Sequence, residues 1–323
     1  MKAFLQKCVL MAALLLITLG AALVLVPPDR EDFLAIIGTK MARLDSTPSP
    51  KIVFVGGSNL AFGLDSHAVE EQLGYHVVNM GQGHEMGLPL MLDLVVPRIH
   101  AGDIVVLVPE YGFFYGGLDG DELLLNVLEI YPAGFRYLRS RRQIFEIIAN
   151  VPRYARFKVT RLLQHWGKKP DARCVYCPRA FNEYGDVVAH LDKHPQDVAH
   201  MLDFLNEPGD VDMEAIDVVN AFAHEVELQG ARSVFMFPCL PSLHYELRRE
   251  AIERLHAEIL AHVRMPVLST PARSTYPVED FYDWVYHLNR RGRTVRTERM
   301  IEELRPLLET ARHAPVRERE VRG

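Results

Sequence analysis

The residue placed best for chemistry is Ser58, in the segment 51–66 (KIVFVGGSNLAFGLDS). The apolar run 52–55 leads directly into Gly56-Gly57-Ser58-Asn59, which predicts a buried strand followed by a tight turn. A serine on such a turn lies at the carboxyl end of a strand in an open α/β sheet, where ligands bind. The same pattern is also typical of an ordinary structural βα turn. Ser58 is therefore a candidate nucleophile that needs partners.

Candidate partners lie near the end of the chain, in the segment 276–292. His287 follows Asp283 by four positions, and a helix is predicted to begin soon afterwards. A histidine can accept the proton of a serine hydroxyl, and a carboxylate can orient that histidine and stabilise the imidazolium that forms. Asp280 is an alternative acid, and an acidic residue in front of a helix is often only a cap.

Three other polar or aromatic residues follow predicted strands at the same edge. His84 belongs to the glycine-rich turn after the second strand, while Glu110 and Tyr111 end the third. We expect these residues to contact substrate rather than to perform the chemistry. Glu110 and Tyr111 fit a purely structural strand end equally well.

The elements that must position these residues alternate between strands and helices. Short, nearly all-apolar strands are predicted at about 52–55, 76–79, 104–108, 233–238 and 266–268. Helices are predicted at about 66–73, 88–98, 213–228 and 245–263, with a last helix that ends near 308. Apolar strands that alternate with helices indicate a parallel sheet of about five strands covered on both faces, a three-layer α/β fold.

The alternation is lost between about residues 116 and 209, where helices are predicted at about 123–129 and 144–164. We interpret this stretch as a helical insertion that lies over the carboxyl edge of the sheet as a lid or recognition cap.

Two cysteines of this insertion, Cys174 and Cys177, form a CVYC pair. A zinc site would need a second pair of ligands at matching spacing, which Cys239 and scattered histidines do not supply, so no metal is predicted. In an oxidising compartment we expect a local disulfide between Cys174 and Cys177. A thioredoxin-type redox role is a less favoured alternative, because the surrounding βαβ pattern is missing.

The N-terminus predicts export. No charged residue occurs from Cys8 to Val26, a run of 19 positions that is long enough to cross a bilayer as one helix. Lys2 and Lys7 precede the run, so the positive-inside rule places the rest of the chain outside the cytoplasm. The small residues at 19–22 leave a cleaved signal peptide as the alternative.

The sequence patterns predict that the chain has three parts. Residues 1–27 form the membrane anchor or signal peptide, 28–50 a juxtamembrane helix and linker, and 51–323 the α/β domain with its insertion at 116–209. A content of 49% hydrophobic and 24% charged residues is that of a folded protein. The net charge of −6 gives no indication of a basic surface of the kind that binds nucleic acid, so nucleic acid is not an expected partner.

Three segments carry a resemblance to a known family: the Gly56-Gly57-Ser58-Asn59 turn, the Asn79-Met80-Gly81 turn and the segment from Asp283 to His287. In these segments the chain resembles the SGNH (GDSL-like) hydrolase superfamily. It is most similar to a branch of membrane-anchored bacterial proteins whose first block reads GGSN. The resemblance covers about 51–308 apart from the insertion. It implies a flavodoxin-like sheet with Ser58 as nucleophile, His287 as base oriented by Asp283, and a Gly81 backbone N–H that binds the oxyanion.

The chain departs from the superfamily pattern at two points. The third block usually supplies an asparagine side chain from a G-x-N-D turn, whereas here Val108-Pro109-Glu110-Tyr111 stands in that place. An ionised carboxylate cannot donate a hydrogen bond, which leaves the Ser58 and Gly81 amides, helped by Asn59, for the oxyanion. The last block is usually D-x-x-H, and this chain has D-x-x-x-H.

The resemblance implies an extracytoplasmic serine esterase or O-acyltransferase. It would be held in the bacterial inner membrane by one helix, with its domain on the periplasmic side, and would need no cofactor. Its expected substrates are acyl groups, acetyl above all, on envelope or exported polysaccharide. The alternative is a catalytically silent SGNH-like component that binds glycan or partner proteins within an envelope polysaccharide assembly complex.

Overall fold

The computed structural model describes residues 1–138, 141–201 and 209–313, with side chains up to residue 309. Segment 202–208 of the predicted insertion and the charged tail 314–323 lie outside the described residues. The structure is mixed α/β with an N-terminal apolar helix. The helices are α1 (Lys2–Leu25), α2 (Ile37–Ser46), α3 (Ser58–Gly63), α4 (Ser66–Leu73), α5 (Leu88–Val95), α6 (Leu123–Ile130), α7 (Arg141–His165), α8 (Met213–Leu228), α9 (Ser242–Leu247), α10 (Arg249–His262) and α11 (Arg290–His313).

Four parallel strands form the central sheet, in the order β2-β1-β3-β4. The strands are β1 (Lys51–Gly56), β2 (His76–Asn79), β3 (Ile104–Val108) and β4 (Arg232–Phe235). All residues of β1 and β3 are buried, as their apolar runs predict for a sheet covered on both faces. The parallel α/β architecture predicted from the sequence is confirmed to this extent.

The two faces of the sheet carry separate cores. Val53 and Val55 of β1 point into a core shared with α5 and α8, whereas Ile52 and Phe54 point into one shared with α4 and α11. Alternation along the strand produces this division, since successive side chains point to opposite faces. The helices on both sides complete a three-layer arrangement.

The fifth strand that the sequence predicts at 266–268 does not form. Only Val267 makes a bridge, opposite Phe235 of β4. Pro266 has no N–H to donate, and the Ser269 hydroxyl takes the N–H of Phe237 at 2.7 Å, so the pairing ends after one bridge. A second, two-stranded parallel sheet, β5 (Leu240–Pro241) with β6 (Thr275–Tyr276), lies beyond β4 in the chain.

The structure has a short helix, α3, that the sequence pattern did not predict. It begins at Ser58 itself, eight residues before the helix that was predicted to follow the turn. The Asn59 side chain holds it in place, because it donates to the Val108 carbonyl at 3.1 Å and accepts from Arg296 at 2.7 Å. The candidate nucleophile is therefore the first residue of a fixed helix.

The helix α1 is long and apolar enough to cross a membrane, and a signal sequence near an N-terminus has the same properties. The segment after it folds onto the domain as a 3₁₀ turn (Phe33–Ile36) followed by α2. Ile37, Met41 and Leu44 of α2 are buried in the core. The predicted juxtamembrane helix is therefore packed on the domain.

All four cysteines are free thiols, so the predicted disulfide between Cys174 and Cys177 is not present. The side chain of Cys177 is buried, and its Sγ lies 3.6 Å from the Cys174 carbonyl oxygen. Cys239 is fully buried, as expected for a small apolar residue.

Candidate active site

Two segments 229 positions apart in the chain meet at the carboxyl edge of the sheet. The Oγ of Ser58 lies 3.0 Å from Nε2 of His287. The Nδ1 of His287 lies 2.9 Å from Oδ1 of Asp283. A hydroxyl, an imidazole and a carboxylate thus form one continuous hydrogen-bonded chain, the arrangement that serine nucleophiles require.

The loop 281–288 fixes the acid and the base relative to each other. Phe281 and Leu288 pair as an antiparallel bridge, and the Tyr282 N–H donates to the His287 carbonyl at 2.7 Å. This closed loop brings Asp283 to His287 although three residues separate them. Asp280, the alternative acid, instead forms an ion pair with Arg291. The spacing D-x-x-x-H therefore suits this loop.

Two aromatic side chains support the histidine, and neither was predicted from the sequence. The Tyr176 hydroxyl donates to Oδ2 of Asp283 at 2.6 Å and lies 3.1 Å from Nδ1 of His287. The Phe62 ring stacks on the imidazole, with centroids 3.8 Å apart and planes at 11°. Tyr176 lies between the two cysteines of the CVYC segment. That segment belongs to the insertion predicted to cap the site, and this was the only indication in the sequence that Tyr176 could reach it.

Burial sets the charge of the histidine. Desolvation lowers the pKa of His287 from its usual 6.5, and the interaction with Asp283 opposes this shift. The imidazole is therefore neutral at pH 7. A neutral ring with its proton on Nδ1, facing Asp283, has Nε2 free to accept the Ser58 proton.

Glu110 is the second group in contact with the serine. Its Oε1 lies 3.0 Å from Ser58 Oγ and accepts the Asn59 N–H, also at 3.0 Å. Burial raises the pKa of Glu110 to about 7, while its hydrogen bonds to Asn59 and Ser58 oppose the shift. A β-carbon at Gly57 would lie 2.3 Å from Glu110, so this contact requires the glycine.

The single proton of the Ser58 hydroxyl has two possible acceptors. When Glu110 is ionised, its carboxylate and His287 Nε2 compete for that proton. When Glu110 is neutral, its own proton can be donated to Ser58 Oγ, which then donates to His287 without conflict. The protonated form of Glu110 is therefore the one that leaves the serine directed at its base.

Ser58, His287 and Glu110 open onto a cavity of about 540 Å³. Its wall combines aromatic rings with acidic groups. Lining side chains include Phe33, Phe157, Tyr176, Trp284, Asp32, Glu85 and Asp121. Burial raises the pKa of Glu85 and raises that of Asp121 to about 7. Such a lining can accommodate an apolar acyl group and form hydrogen bonds with hydroxyl donors.

No protein-family model matches this chain, and a comparison with curated proteins finds no match either. Within the residues that the structure describes, no group of three or more histidine, cysteine or acidic side chains is arranged to hold a metal ion.

The residues predicted to contact substrate separate into two kinds. His84 lines the cavity, stacked on Phe113 with centroids 4.4 Å apart. Burial lowers the pKa of His84 to about 4, so it is neutral there. Tyr111 is not in the cavity wall: its ring is buried in the core, and its N–H donates to the Tyr286 hydroxyl at 3.1 Å. In this structure Tyr111 is thus a core residue, and its predicted contact with substrate stays a prediction.

The predicted oxyanion donors are already engaged. The Gly81 N–H donates to the Asn79 side chain at 2.8 Å, and its carbonyl accepts from Lys40. The Asn59 side chain is used between Val108 and Arg296, and its N–H is taken by Glu110. The backbone N–H groups of Gly81 and Asn59 are thus both engaged, as is one N–H of the Asn59 side-chain amide. Ser58 is the first residue of α3, so its N–H has no acceptor within the helix. The Glu110 carboxyl lies beside the Ser58 hydroxyl.

Proposed function

We propose that this chain is an SGNH-type serine esterase or O-acyltransferase. The observation that carries the proposal is the chain of contacts from Ser58 Oγ to His287 Nε2 and from His287 Nδ1 to Asp283, at 3.0 and 2.9 Å, beside an open cavity. The sequence resemblance supports the same reading. It also supports acyl groups, acetyl above all, on envelope or exported polysaccharide as the substrate class.

In the first half-reaction, Ser58 Oγ would attack the ester carbonyl carbon while His287 Nε2 takes the hydroxyl proton. Asp283 would stabilise the imidazolium. His287 would then return the proton to the departing alcohol oxygen as the carbon–oxygen bond breaks, which leaves an acyl group on Ser58. In the second half-reaction, water or a sugar hydroxyl would attack that acyl group, with His287 again moving the proton.

Glu110 has a defined part in this scheme. The tetrahedral intermediate carries a negative oxygen close to Ser58, where an ionised carboxylate would repel it. A neutral Glu110, together with the Ser58 N–H, can donate hydrogen bonds to that oxygen. A buried carboxylic acid that is kept neutral for this purpose has precedent in enzyme chemistry. Glu110 would thus replace the asparagine of the superfamily pattern.

The cellular setting of the proposal follows from α1. We propose that α1 is retained as an anchor in the inner membrane. The lysines at positions 2 and 7 support a cytoplasmic N-terminus and a catalytic domain on the periplasmic side. Glycan or envelope assembly proteins would then be its partners.

The test is hydrolysis of p-nitrophenyl acetate by the full chain in detergent micelles. We expect turnover that disappears in Ser58→Ala and persists in Ser46→Ala, a matched change at an exposed serine of α2. Turnover that is equal in the wild type and Ser58→Ala would overturn the proposal.

A second candidate function is a catalytically silent binding component. It is favoured by the contact between Ser58 and Glu110, because an ionised Glu110 would hold the hydroxyl proton away from His287. Absence of turnover and of covalent labelling across pH 5 to 9 in a folded sample would support this candidate.

A further inference from the structure

Helix α7 carries an apolar stripe that the rest of the described protein leaves uncovered. Leu163 is 66% exposed and Trp166, just past the helix end, 73%. At about 100° of rotation per residue, the exposed apolar side chains fall within one arc of about 100°. They are Ile144, Phe145, Ile148, Val159, Leu162, Leu163 and Trp166. The stripe has two parts, at 144–148 and 159–166, and between them Ala155 is buried. Exposed apolar patches of this kind mark interaction sites.

The stripe lies beside the end of the apolar helix α1. Helices α1 and α7 pack against each other, and Lys158 of α7 donates to the Leu23 carbonyl at 2.7 Å. Arg161 of α7 pairs with Asp29, which comes just after α1. The residues at 19–23 are half-buried, whereas most of α1 is exposed. Helix α7 is therefore held at the level where α1 would leave a bilayer.

The charge of α7 also suits a lipid surface. The helix contains six lysine and arginine residues and one acidic residue, Glu146. Basic amphipathic helices with leucine, phenylalanine and tryptophan on the apolar face lie in the interfacial region of bilayers, where they attract anionic headgroups.

We propose that α7 is an interfacial helix whose apolar stripe is buried in the outer boundary of the bilayer that α1 crosses. The proposal does not depend on the catalytic role of Ser58. It has one structural consequence for the cavity: Phe157 and Arg161, on the other side of α7, line the cavity wall. The cavity would then lie within about one helix diameter, ~10 Å, of the lipid surface.

The test measures the depth of Trp166 in the full chain. Trp284→Phe leaves Trp166 as the only tryptophan, and the protein is reconstituted into vesicles of phosphatidylcholine and phosphatidylglycerol. The phosphatidylcholine is either unmodified or brominated in the upper half of its acyl chains. We expect the brominated lipid to reduce Trp166 fluorescence about twofold. The matched control moves the tryptophan to the polar face (Trp166→Phe with Gln164→Trp), where we expect little quenching.

Equal quenching of the two tryptophan positions would overturn the proposal, as would no quenching of either. A second copy of the chain is the other possible occupant of the stripe. Efficient disulfide-linked dimer formation by Leu163→Cys in the same vesicles, without quenching of Trp166, would assign the stripe to an interface between copies and would also overturn the proposal.

Discussion

Two glycine turns follow neighbouring strands of the sheet and look alike in the sequence, but they differ in what their polar groups do. After β1, the Ser58 hydroxyl lies in a cavity wall within reach of both His287 and Glu110. After β2, the polar groups are used inside the protein. Lys40 donates to the Asn79, Gly81 and Gly185 carbonyls, and the Asn79 side chain accepts the Gly81 N–H.

The second turn belongs to a buried polar network that extends beyond it. Asp186 accepts from the Ser66 hydroxyl at 2.5 Å, from the Asn79 side chain at 2.8 Å and from Arg293 at 3.2 Å. Satisfied buried networks of this kind fix a single arrangement of the core. A glycine turn at a sheet edge can therefore do chemistry only where its polar groups face a cavity, whatever its sequence.

The largest effect that separates the two turns is expected at Ser58. Ser58→Ala should reduce ester turnover by about 10⁵-fold, because the nucleophile is lost. The midpoint of thermal unfolding should stay close to that of the wild type, since Ser58 is only partly buried. Turnover and circular dichroism melting of the same sample check both parts. A large loss of stability with retained turnover would contradict the assignment.

The matching change at the second turn is Lys40→Met, which removes the shared donor of three buried carbonyls. We expect a loss of about 3 kcal/mol of unfolding free energy, because acceptors would be left unsatisfied. Urea unfolding followed by tryptophan fluorescence would measure it. If Lys40→Met proved as stable as the wild type, the second turn would not be the structural network described above.

A smaller effect is expected from the pH dependence of turnover. Activity should rise as His287 loses its proton, below pH 6.5, and fall as Glu110 ionises near pH 7. Glu110→Gln retains a donor and removes the ionisation, so it should lose only the alkaline limb. At pH 8 the variant should retain about tenfold more of its maximal activity than the wild type. Identical alkaline limbs in the two proteins would exclude this role for Glu110.

The last of these effects concerns Tyr176 and is no larger than the one at Glu110. Tyr176→Phe removes the 2.6 Å hydrogen bond to Asp283 while keeping the ring. We expect about a tenfold loss of kcat, since one hydrogen bond to a charged group is lost. The value of KM for p-nitrophenyl acetate should change little. An unchanged kcat would mean that Asp283 is oriented by its loop alone.

The sheet was largely predictable from the sequence because its strands are continuous apolar runs. The approach of Ser58 to His287 was predictable as well, since the turn after a strand and a loop before the last helix share the carboxyl edge in this topology. The sequence also predicts a fifth strand at 266–268, and its absence could not be foreseen. Only the packed structure shows that Val267 pairs with Phe235 at a single bridge, beside a proline.

The contacts around Ser58 could not be predicted from the sequence, and the reason differs from one contact to the next. Tyr176 reaches Asp283 across 107 positions of chain, and no local pattern encodes such a contact. The engagement of Gly81 depends on the orientation of the Asn79 side chain two residues earlier. The protonation of Glu110 depends on complete burial, which only the packed structure defines.

The central claim is that Ser58 is a nucleophile activated by His287. The most direct measurement is the mass of the full chain, and of its peptides, after reaction with a fluorophosphonate. We expect one adduct, located on the Ser58 peptide, that forms at least about 100-fold more slowly in His287→Ala. No adduct on a folded wild-type sample, or an adduct on Ser58 that forms equally fast without His287, would rule out this role of Ser58.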